Sequence, residues 1–176
     1  MARGKKPLLE NIEIKKIAAE GKSIAYVDEK VLFVPNTVPG DIVDVQVTRK
    51  RKSFLEGFIV NVRKYSDIRT EPFCSHFGVC GGCKWQNLPY QLQTEFKQQE
   101  IVDNLQRIGK VELQNVSPII GSPKTTYYRN KLEYTFCNKR FLTREEIANG
   151  QDIDRTPAVG FHVPGLFDKV LDIKKC

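Results

Sequence analysis

The sequence predicts a β-rich α+β protein in two parts: a five-stranded barrel of the OB type over residues 1–66, and a mixed region over residues 67–176. Three observations lead to this prediction. Short segments of alternating apolar and polar residues, separated by turn residues, follow one another in the first part. A cysteine-rich loop and one stretch of helical period come next, and strand patterns then return before the chain stops.

The barrel is predicted from five short strands and the turns between them. The predicted strands are residues 12–14, 23–27, 31–34, 42–47 and 58–62. The turn before the fourth strand contains Pro39-Gly40-Asp41, in which proline and glycine favour a change of chain direction. No stretch of helical period interrupts these segments, which favours a small barrel.

Four adjacent cations lie between the last two predicted strands. They are Arg49, Lys50, Arg51 and Lys52. A loop of this charge is costly to pack and easily solvated, so it is expected at the surface. On a small barrel it predicts contacts with the phosphates of a nucleic acid. The alternative interpretation is a solvated hairpin tip with no partner.

A polar segment from Ser66 to Pro72 marks the start of the second part, and one helix is predicted beyond the cysteine loop. Asn87 is predicted to cap that helix, Pro89 suits its first turn, and Gly109 marks its end. Its apolar positions recur with helical period: Leu92, Phe96, Val102, Leu105 and Ile108.

The pattern after Pro123 predicts an α+β region that is incomplete. A strand is expected from Tyr128 to Phe136, with Arg129 and Lys131 on one face as candidate RNA contacts. Residues 143–146 form a capping box that opens a short helix. Two further strands, residues 158–162 and 169–173, are joined through Pro164 and Gly165, and the chain ends three residues later.

The three cysteines of the loop, Cys74, Cys80 and Cys83, lie within ten residues in the spacing C-x5-C-x2-C. Thiolates gathered this tightly either bind a metal or form disulfides, and a reducing compartment favours metal. The two glycines before Cys83 let backbone N–H groups approach sulfur closely. Cys176 offers a fourth soft ligand, and the set predicts an iron–sulfur site.

Zinc is the chemical alternative. His76 lies between the first two cysteines, so Cys74, His76, Cys80 and Cys83 could form a local zinc knuckle. A single residue between Cys74 and His76 is a short spacing for two ligands of one tetrahedral site. The fifth cysteine, Cys137, lies within a predicted strand and is interpreted as a small buried apolar residue rather than a ligand.

The formal net charge of +7 predicts attraction to polyanions, nucleic acid first, although a basic protein with a solvated surface has the same composition. No apolar stretch approaches the roughly 20 residues that span a bilayer, so no membrane partner is expected. The basic start of the chain is not followed by the apolar core of a signal peptide, so a cytoplasmic protein is expected.

Several motifs resemble those of bacterial RNA (uracil-5-)-methyltransferases of the 23S rRNA type. The stretch from Cys74 to Gln86, with Cys80-Gly-Gly-Cys83-Lys-Trp-Gln86, resembles the family's iron–sulfur signature. The preceding segment resembles its TRAM domain in residues 20–26, 32–35 and 38–41. Residues 128–136 and 160–165 are similar to the start of the family's central domain, and residues 167–176 resemble the stretch that supplies the last cluster ligand.

The resemblance implies a ligand set and a partner. Cys74, Cys80, Cys83 and Cys176 would hold a [4Fe-4S] cluster with a role in structure or RNA binding. The TRAM-like barrel would bind RNA, ribosomal RNA by this likeness, through residues 49–52, and the protein is expected to be a monomer. The alternative from a different class is a free-standing RNA-binding module with a zinc knuckle.

The resemblance also implies chemistry that this chain does not carry. The family ends with a Rossmann-like domain that binds S-adenosylmethionine and carries a nucleophilic cysteine and a base. No glycine-rich nucleotide loop follows a strand here, and no cysteine matches the nucleophile motif. The chain is therefore expected to be the N-terminal part of a longer enzyme and to be inactive in methylation alone.

Overall fold

Two β-sheets and two helices form the framework of this computed structural model, which describes residues 6–150, 153 and 155–176. The first five residues of the predicted barrel lie outside the described residues. The chain forms two compact units, each made of two stretches of sequence. The first runs up to Glu71 and resumes over Asn87–Pro123, and the second comprises Pro72–Gln86 and Lys124–Cys176. The first unit thus includes the helix that the sequence prediction grouped with the cysteine loop.

The sheet of the first unit has six strands in the order β1-β5-β6-β4-β3-β2. Each of the five predicted strands overlaps an observed one, and the additional strand is the two-residue β2, which pairs with β3. All pairings are antiparallel except that of β4 with β6. The strands are β1 (Leu8–Glu13), β2 (Lys16–Ile17), β3 (Lys22–Val27), β4 (Lys30–Pro35), β5 (Ile42–Lys50) and β6 (Phe54–Lys64).

This sheet curls because one stretch of chain pairs with both of its ends. β1 and β2 lie at opposite edges of the strand order, yet only Ile14 and Lys15 separate them in sequence. The Ile14 N–H donates to the Asp41 carbonyl at 2.9 Å, and the Lys15 N–H donates to the Ile24 carbonyl at 2.8 Å. A two-residue strand with no periodicity cannot be predicted from an alternating pattern, which is why the sequence indicated five strands and the structure has six.

The concave face of the curled sheet holds the core. Alternate residues of each strand point inward, and they are mostly β-branched or leucine, as expected for a half-buried sheet. Gly57 allows β6 to approach β5, because a Cβ there would lie 2.4 Å from Val45 Cγ1 and 2.8 Å from the Gln46 carbonyl oxygen. The buried core comprises Ile14, Ala25, Leu32, Val34, Val43, Val45, Val47 and Leu55.

The turn between β4 and β5 is held by a fully buried carboxylate. Asp41 follows Gly40, whose φ of +88° suits glycine at this bend. Its oxygens accept hydrogen bonds from the Val38 N–H at 2.8 Å and the Ser66 N–H at 3.0 Å. Arg69 adds a bidentate pair, with Nε at 2.8 Å from Oδ1 and Nη2 at 2.7 Å from Oδ2. The carboxylate therefore fastens the segment after β6 to the turn.

Asp41→Ala is expected to destabilise the protein by about 3 kcal/mol, because it leaves the largely buried Arg69 guanidinium without its carboxylate partner and two backbone N–H groups without their acceptor. The matched control is Glu13→Ala, which removes one partner of the half-exposed ion pair with Lys15 and is expected to cost less than about 1 kcal/mol. Urea denaturation measures both. Equal midpoints for the two variants would contradict the role given to Asp41.

The predicted helix is present as α1 (Tyr90–Asp103), but its caps differ from the prediction. Pro89 occupies the N-cap position, and Asn87 makes no capping bond. The buried Asn87 instead accepts the Thr70 N–H through its backbone carbonyl at 3.1 Å, which joins the two chain segments that flank the cysteine loop. The proline at the cap displaces the asparagine from the position that its side chain would need.

The end of the helix also departs from the expected geometry. A π turn over Asn104–Ile108 follows α1, and the Gly109 N–H donates to the Asn104 carbonyl at 2.9 Å. Gly109 keeps a helical φ of −71°, and Lys110 takes the left-handed conformation with φ of +55°. The wider turn shifts the left-handed position one residue beyond the glycine. Along the apolar stripe, Leu92 near the start of the helix is half-buried, and Ile108 at its end is exposed.

The second unit contains a three-stranded antiparallel sheet in the order β7-β8-β9. The strands are β7 (Thr135–Cys137), β8 (Ala158–Val163) and β9 (Leu166–Asp172), and α2 spans Arg144–Ala148. The predicted strands at residues 158–162 and 169–173 are confirmed, with Gly165 at φ of +77° in their turn. The capping box is confirmed too: the Glu146 N–H donates to Thr143 Oγ1 at 3.2 Å, and the Thr143 N–H donates to Glu146 Oε2 at 2.8 Å.

The strand predicted from Tyr128 to Phe136 is wrong over most of its length, since only its last two residues enter β7. The register pairs Thr135 with Gly160, so an extension toward Tyr128 would have to pair with the second half of β8. The His162 carbonyl in that half accepts the Gly81 N–H at 3.1 Å instead. The cysteine loop therefore occupies the edge that the longer strand would need.

Candidate functional site

The cysteine loop is folded by its own backbone into consecutive turns. The Phe77 N–H donates to the Cys74 carbonyl at 3.0 Å, and the Cys80 N–H donates to the His76 carbonyl at 2.9 Å. Gln86 Oε1 accepts the Cys74 N–H at 3.2 Å, which ties the start of the loop to its end. These bonds fold the stretch that carries the three cysteines of the loop into one compact turn structure.

Each of the two glycines of the motif has a structural role of its own. At position 81 a Cβ would lie 2.6 Å from the His162 carbonyl oxygen, so only glycine lets the loop dock on β8 with an intact hydrogen bond. The Gly82 N–H donates to Cys80 Sγ at 3.3 Å. A backbone donor to sulfur stabilises a thiolate, which is the state that ligates metals.

The four predicted ligands, Cys74, Cys80, Cys83 and Cys176, lie in the same unit. Burial raises the pKa of the Cys80 thiol, and negative charge on Cys83, Cys74 and Cys176 raises it further, while the Gly82 N–H opposes both effects. All four are free thiols, and so is Cys137, which lies within β7. The assignment of the four cysteines as ligands stays a prediction.

The thiols are near one another without forming a preorganised coordination site. Within residues 6–150, 153 and 155–176, no group of three or more His, Cys, Asp or Glu side chains is arranged to hold a metal ion. His76 Nδ1 lies 3.9 Å from Cys74 Sγ and 3.3 Å from Ser75 Oγ. The chemistry of the donor set, four cysteine sulfurs, fits an iron–sulfur cluster, and the local zinc knuckle is not favoured.

Two aromatic residues near the cysteines were not found by sequence reasoning. The rings of Tyr134 and Phe161 lie 4.9 Å apart at a tilt of 36°. Burial raises the pKa of the Tyr134 hydroxyl, and the charge of Cys176 and a hydrogen bond with it raise it further. Phe161 approaches the position of a Cβ on Gly82 to 3.8 Å. Both residues lie in stretches that resemble the family's central domain, but nothing in either stretch relates one ring to the other, so only the fold reveals their place beside the thiols.

The second candidate site is the tip of the β5–β6 hairpin. Arg49, Lys50, Arg51 and Lys52 are all exposed there, and the Arg51 N–H donates to the Phe54 carbonyl at 2.8 Å to close the turn. Arg49 Nη1 lies 3.5 Å from Glu56 Oε2 on the neighbouring strand. Among the described residues, Lys50, Arg51 and Lys52 form no ion pair. The tip therefore presents three uncompensated cations to solvent, as an interface for polyanions requires.

Arg129 and Lys131 lie in the second unit, on the irregular segment before β7. Both are exposed, and Lys131 Nζ lies 2.7 Å from Glu133 Oε1 in a surface ion pair. The strand face on which the sequence placed them is not formed. Their candidate role in RNA binding therefore rests on exposure and charge alone.

Residues 10–60 match the TRAM domain. A protein of Bacteroides thetaiotaomicron named as an uncharacterized RNA methyltransferase is 56% identical over 160 residues, which cover 91% of this chain and 35% of that relative. The 23S rRNA (uracil(1939)-C(5))-methyltransferase RlmD of Francisella tularensis subsp. novicida is 34% identical, over 92% of this chain and 37% of its own length. The chain thus spans about a third of the length of the curated relatives it matches.

The fold is similar to that of a solved structure. The crystal structure of the Pyrococcus abyssi tRNA (uracil-54, C5)-methyltransferase in complex with S-adenosyl-L-homocysteine superposes with a TM-score of 0.51 at 23% identity, covering 96% of this chain and 32% of that one. The match over residues 10–60 covers most of the curled sheet and the basic hairpin, so the protein contains a TRAM domain. Over the region it spans, the chain belongs to the RNA methyltransferase family that includes the 23S rRNA (uracil-C5)-methyltransferases, and the predicted resemblance is confirmed.

Within the described residues, no helix combines the length and the apolar composition that are needed to cross a bilayer.

Proposed function

We propose that this chain is the N-terminal RNA-binding and [4Fe-4S]-binding part of an S-adenosylmethionine-dependent RNA uracil-C5 methyltransferase, with ribosomal RNA as its substrate. The observation that carries the proposal is the β5–β6 hairpin tip of the TRAM domain, where Lys50, Arg51 and Lys52 are exposed and lack an ion pair among the described residues. Unpaired surface cations bind phosphates by releasing condensed counterions. A ribosomal substrate places the protein in the cytoplasm, where we propose that it acts as a monomer.

The cluster would be held by Cys74, Cys80, Cys83 and Cys176. A zinc ion requires its ligands to converge with sulfur about 2.3 Å from the metal, whereas a four-iron cluster places its own iron and sulfide atoms between the cysteines. The proposal of a cluster is supported by the chemistry of the donor set, because four cysteine sulfurs are the ligands that iron–sulfur clusters take. The contribution of the cluster would be structural, since four thiolate bonds would join the loop to the chain beyond β9.

Methyl transfer is proposed to take place in a part of the enzyme that this chain does not include. There a cysteine thiolate would add to C6 of uracil, and C5 would take the methyl group from the sulfonium of S-adenosylmethionine. A base would then remove the C5 proton as the thiolate leaves C6. Within this scheme, the residues of this chain orient the RNA around the target nucleotide and form no bond to it.

RNA binding is tested by measuring the affinity of the chain for a ribosomal RNA stem-loop over a range of salt concentrations. Three or four phosphate contacts predict that log K falls against log salt with a slope of about −2 to −4. A neutral protein of similar size serves as the background. If the chain does not bind the stem-loop at low salt, or if its affinity does not change with salt, the proposal of an RNA-binding domain is overturned.

A further inference from the structure

The outer face of the first sheet carries a group of aromatic side chains that the core does not use. Alternation places Tyr26 of β3, Phe33 of β4 and Phe54 of β6 on the convex side, opposite the buried residues Ala25, Leu32 and Leu55. We call these three residues the aromatic face. Tyr26 is 56% exposed, and Phe33 and Phe54 are half-buried against one another. Exposed aromatic surface that the core does not use indicates a binding role.

Strand register makes the aromatic face continuous. Tyr26 pairs with Val31, and Val31 pairs with Phe54, so one row crosses three strands. In the next row Phe33 pairs with Glu56, and Glu56 pairs with Arg49. The rings of Phe33 and Phe54 meet edge to face with centroids 5.9 Å apart, an arrangement that leaves part of each ring open to solvent.

The aromatic face borders the cationic hairpin tip directly. Phe54 follows Lys52 by two residues, and β3, β4, β6 and β5 lie side by side, so the row from Tyr26 to β5 spans three strand spacings, or about 14 Å. The β3–β4 turn at the same end of the sheet carries Asp28 and Glu29. Their charge repels phosphates from the Tyr26 side and leaves the β5–β6 side as the favourable path for a polyanion.

We infer that this surface binds a single-stranded stretch of RNA, with bases stacked on Tyr26, Phe33 and Phe54 and phosphates directed to Lys50, Arg51 and Lys52. Rings beside a row of cations match the two needs of an unpaired strand, a stacking surface for bases and a charged track for the backbone. A duplex hides its bases in the stack and would use the cations alone. The inference rests on the proposed RNA-binding function and specifies the form of RNA.

The test compares a single-stranded oligouridylate with a blunt RNA duplex in fluorescence anisotropy titrations of the wild-type chain and of Tyr26→Leu and Phe54→Leu. Leucine keeps an apolar side chain and removes the ring. Stacking is worth enough that each variant is expected to bind the single strand about 5-fold more weakly or worse. The salt slope and the affinity for the duplex are expected to stay within about twofold of wild type, because the cations are intact.

The matched control is Tyr65→Leu, which removes an exposed tyrosine at the opposite end of β6, where its ring lies against Arg69. It is expected to bind both RNAs as wild type does. Unchanged affinity of both face variants for the single strand would overturn the inference. An equal loss of affinity for the duplex would overturn it as well. So would a wild-type protein that forms a dimer through this face, seen as a dimer that becomes monomeric in the face variants. If the Phe54→Leu variant does not fold, the inference is decided by Tyr26→Leu alone, because Tyr26 is exposed and its replacement leaves the core intact. Wild-type protein that binds neither RNA would instead refute the proposed function.

Discussion

Serine at Cys176 is expected to deprive the protein of most of its iron, whereas serine at Cys137 leaves the iron content at the wild-type level. Cys176 is one of the four proposed ligands, and its charge contributes to the raised pKa of the Cys80 thiol, whereas Cys137 lies within β7 and is not proposed as a ligand. A serine hydroxyl is a hard and weakly acidic ligand that replaces thiolate poorly on iron. The comparison is matched, because both changes exchange one sulfur for one oxygen in free cysteines of the same unit.

The measurement is anaerobic purification of the three proteins, followed by paired iron, sulfide and zinc analysis and a visible absorption spectrum. Wild type is expected to hold about four irons and four sulfides per chain, with broad sulfur-to-iron charge-transfer absorption. Equal iron in both serine variants would contradict the assignment of Cys176. One zinc per chain that survives Cys176→Ser and is lost in His76→Ala would establish the zinc knuckle in place of the cluster.

The three cysteines of the loop could be grouped from the sequence because spacing in a motif is a local property, whereas the assignment of Cys176 as the fourth ligand stays a prediction. Three cysteines within ten residues limit the distance between their sulfurs whatever the surrounding fold, and the glycine pair predicted a close backbone approach that the Gly82 N–H to Cys80 Sγ bond confirms. Tyr134 and Phe161 were not predictable, since one precedes β7 and the other lies within β8 without any shared pattern. Only tertiary structure brings them together beside the thiols.

Strands were predictable where the alternation had a partner. β3, β4, β5 and β6 each overlap a predicted segment, because their inward residues build one core. The same alternation over Tyr128–Phe136 produced a strand of only three residues, β7, since the edge of β8 beyond Gly160 is taken by the Gly81 N–H. A periodic pattern reports which face a segment could bury, and it does not report whether a neighbouring edge is available.

Charge is the feature for which sequence and structure together predict the largest effect on binding. Reversal of Arg49, Lys50, Arg51 and Lys52 to glutamate is expected to reduce affinity for RNA at least about 100-fold at low salt, with a salt slope flatter by about 3. Three of these cations have no ion pair among the described residues, so their charge is available to phosphates. Most of the loss of affinity is expected to come from Lys50, Arg51 and Lys52, because Arg49 already forms an ion pair with Glu56.

Charge reversal at the hairpin tip also changes the net charge of the protein, so the control variant must change the net charge by the same amount at positions away from the tip. Reversal of Lys97, Arg107, Lys110 and Lys124 changes the total charge equally at exposed positions on and beyond α1. A specific interface predicts a large loss for the hairpin variant and a small one for this control, in filter-binding series over the same salt range. Equal losses would show that RNA responds to net charge alone and would remove the hairpin tip from the interface. An unchanged affinity and slope in the hairpin variant would remove it as well, and the exposed Arg129 and Lys131 of the second unit would then be the next cations to reverse.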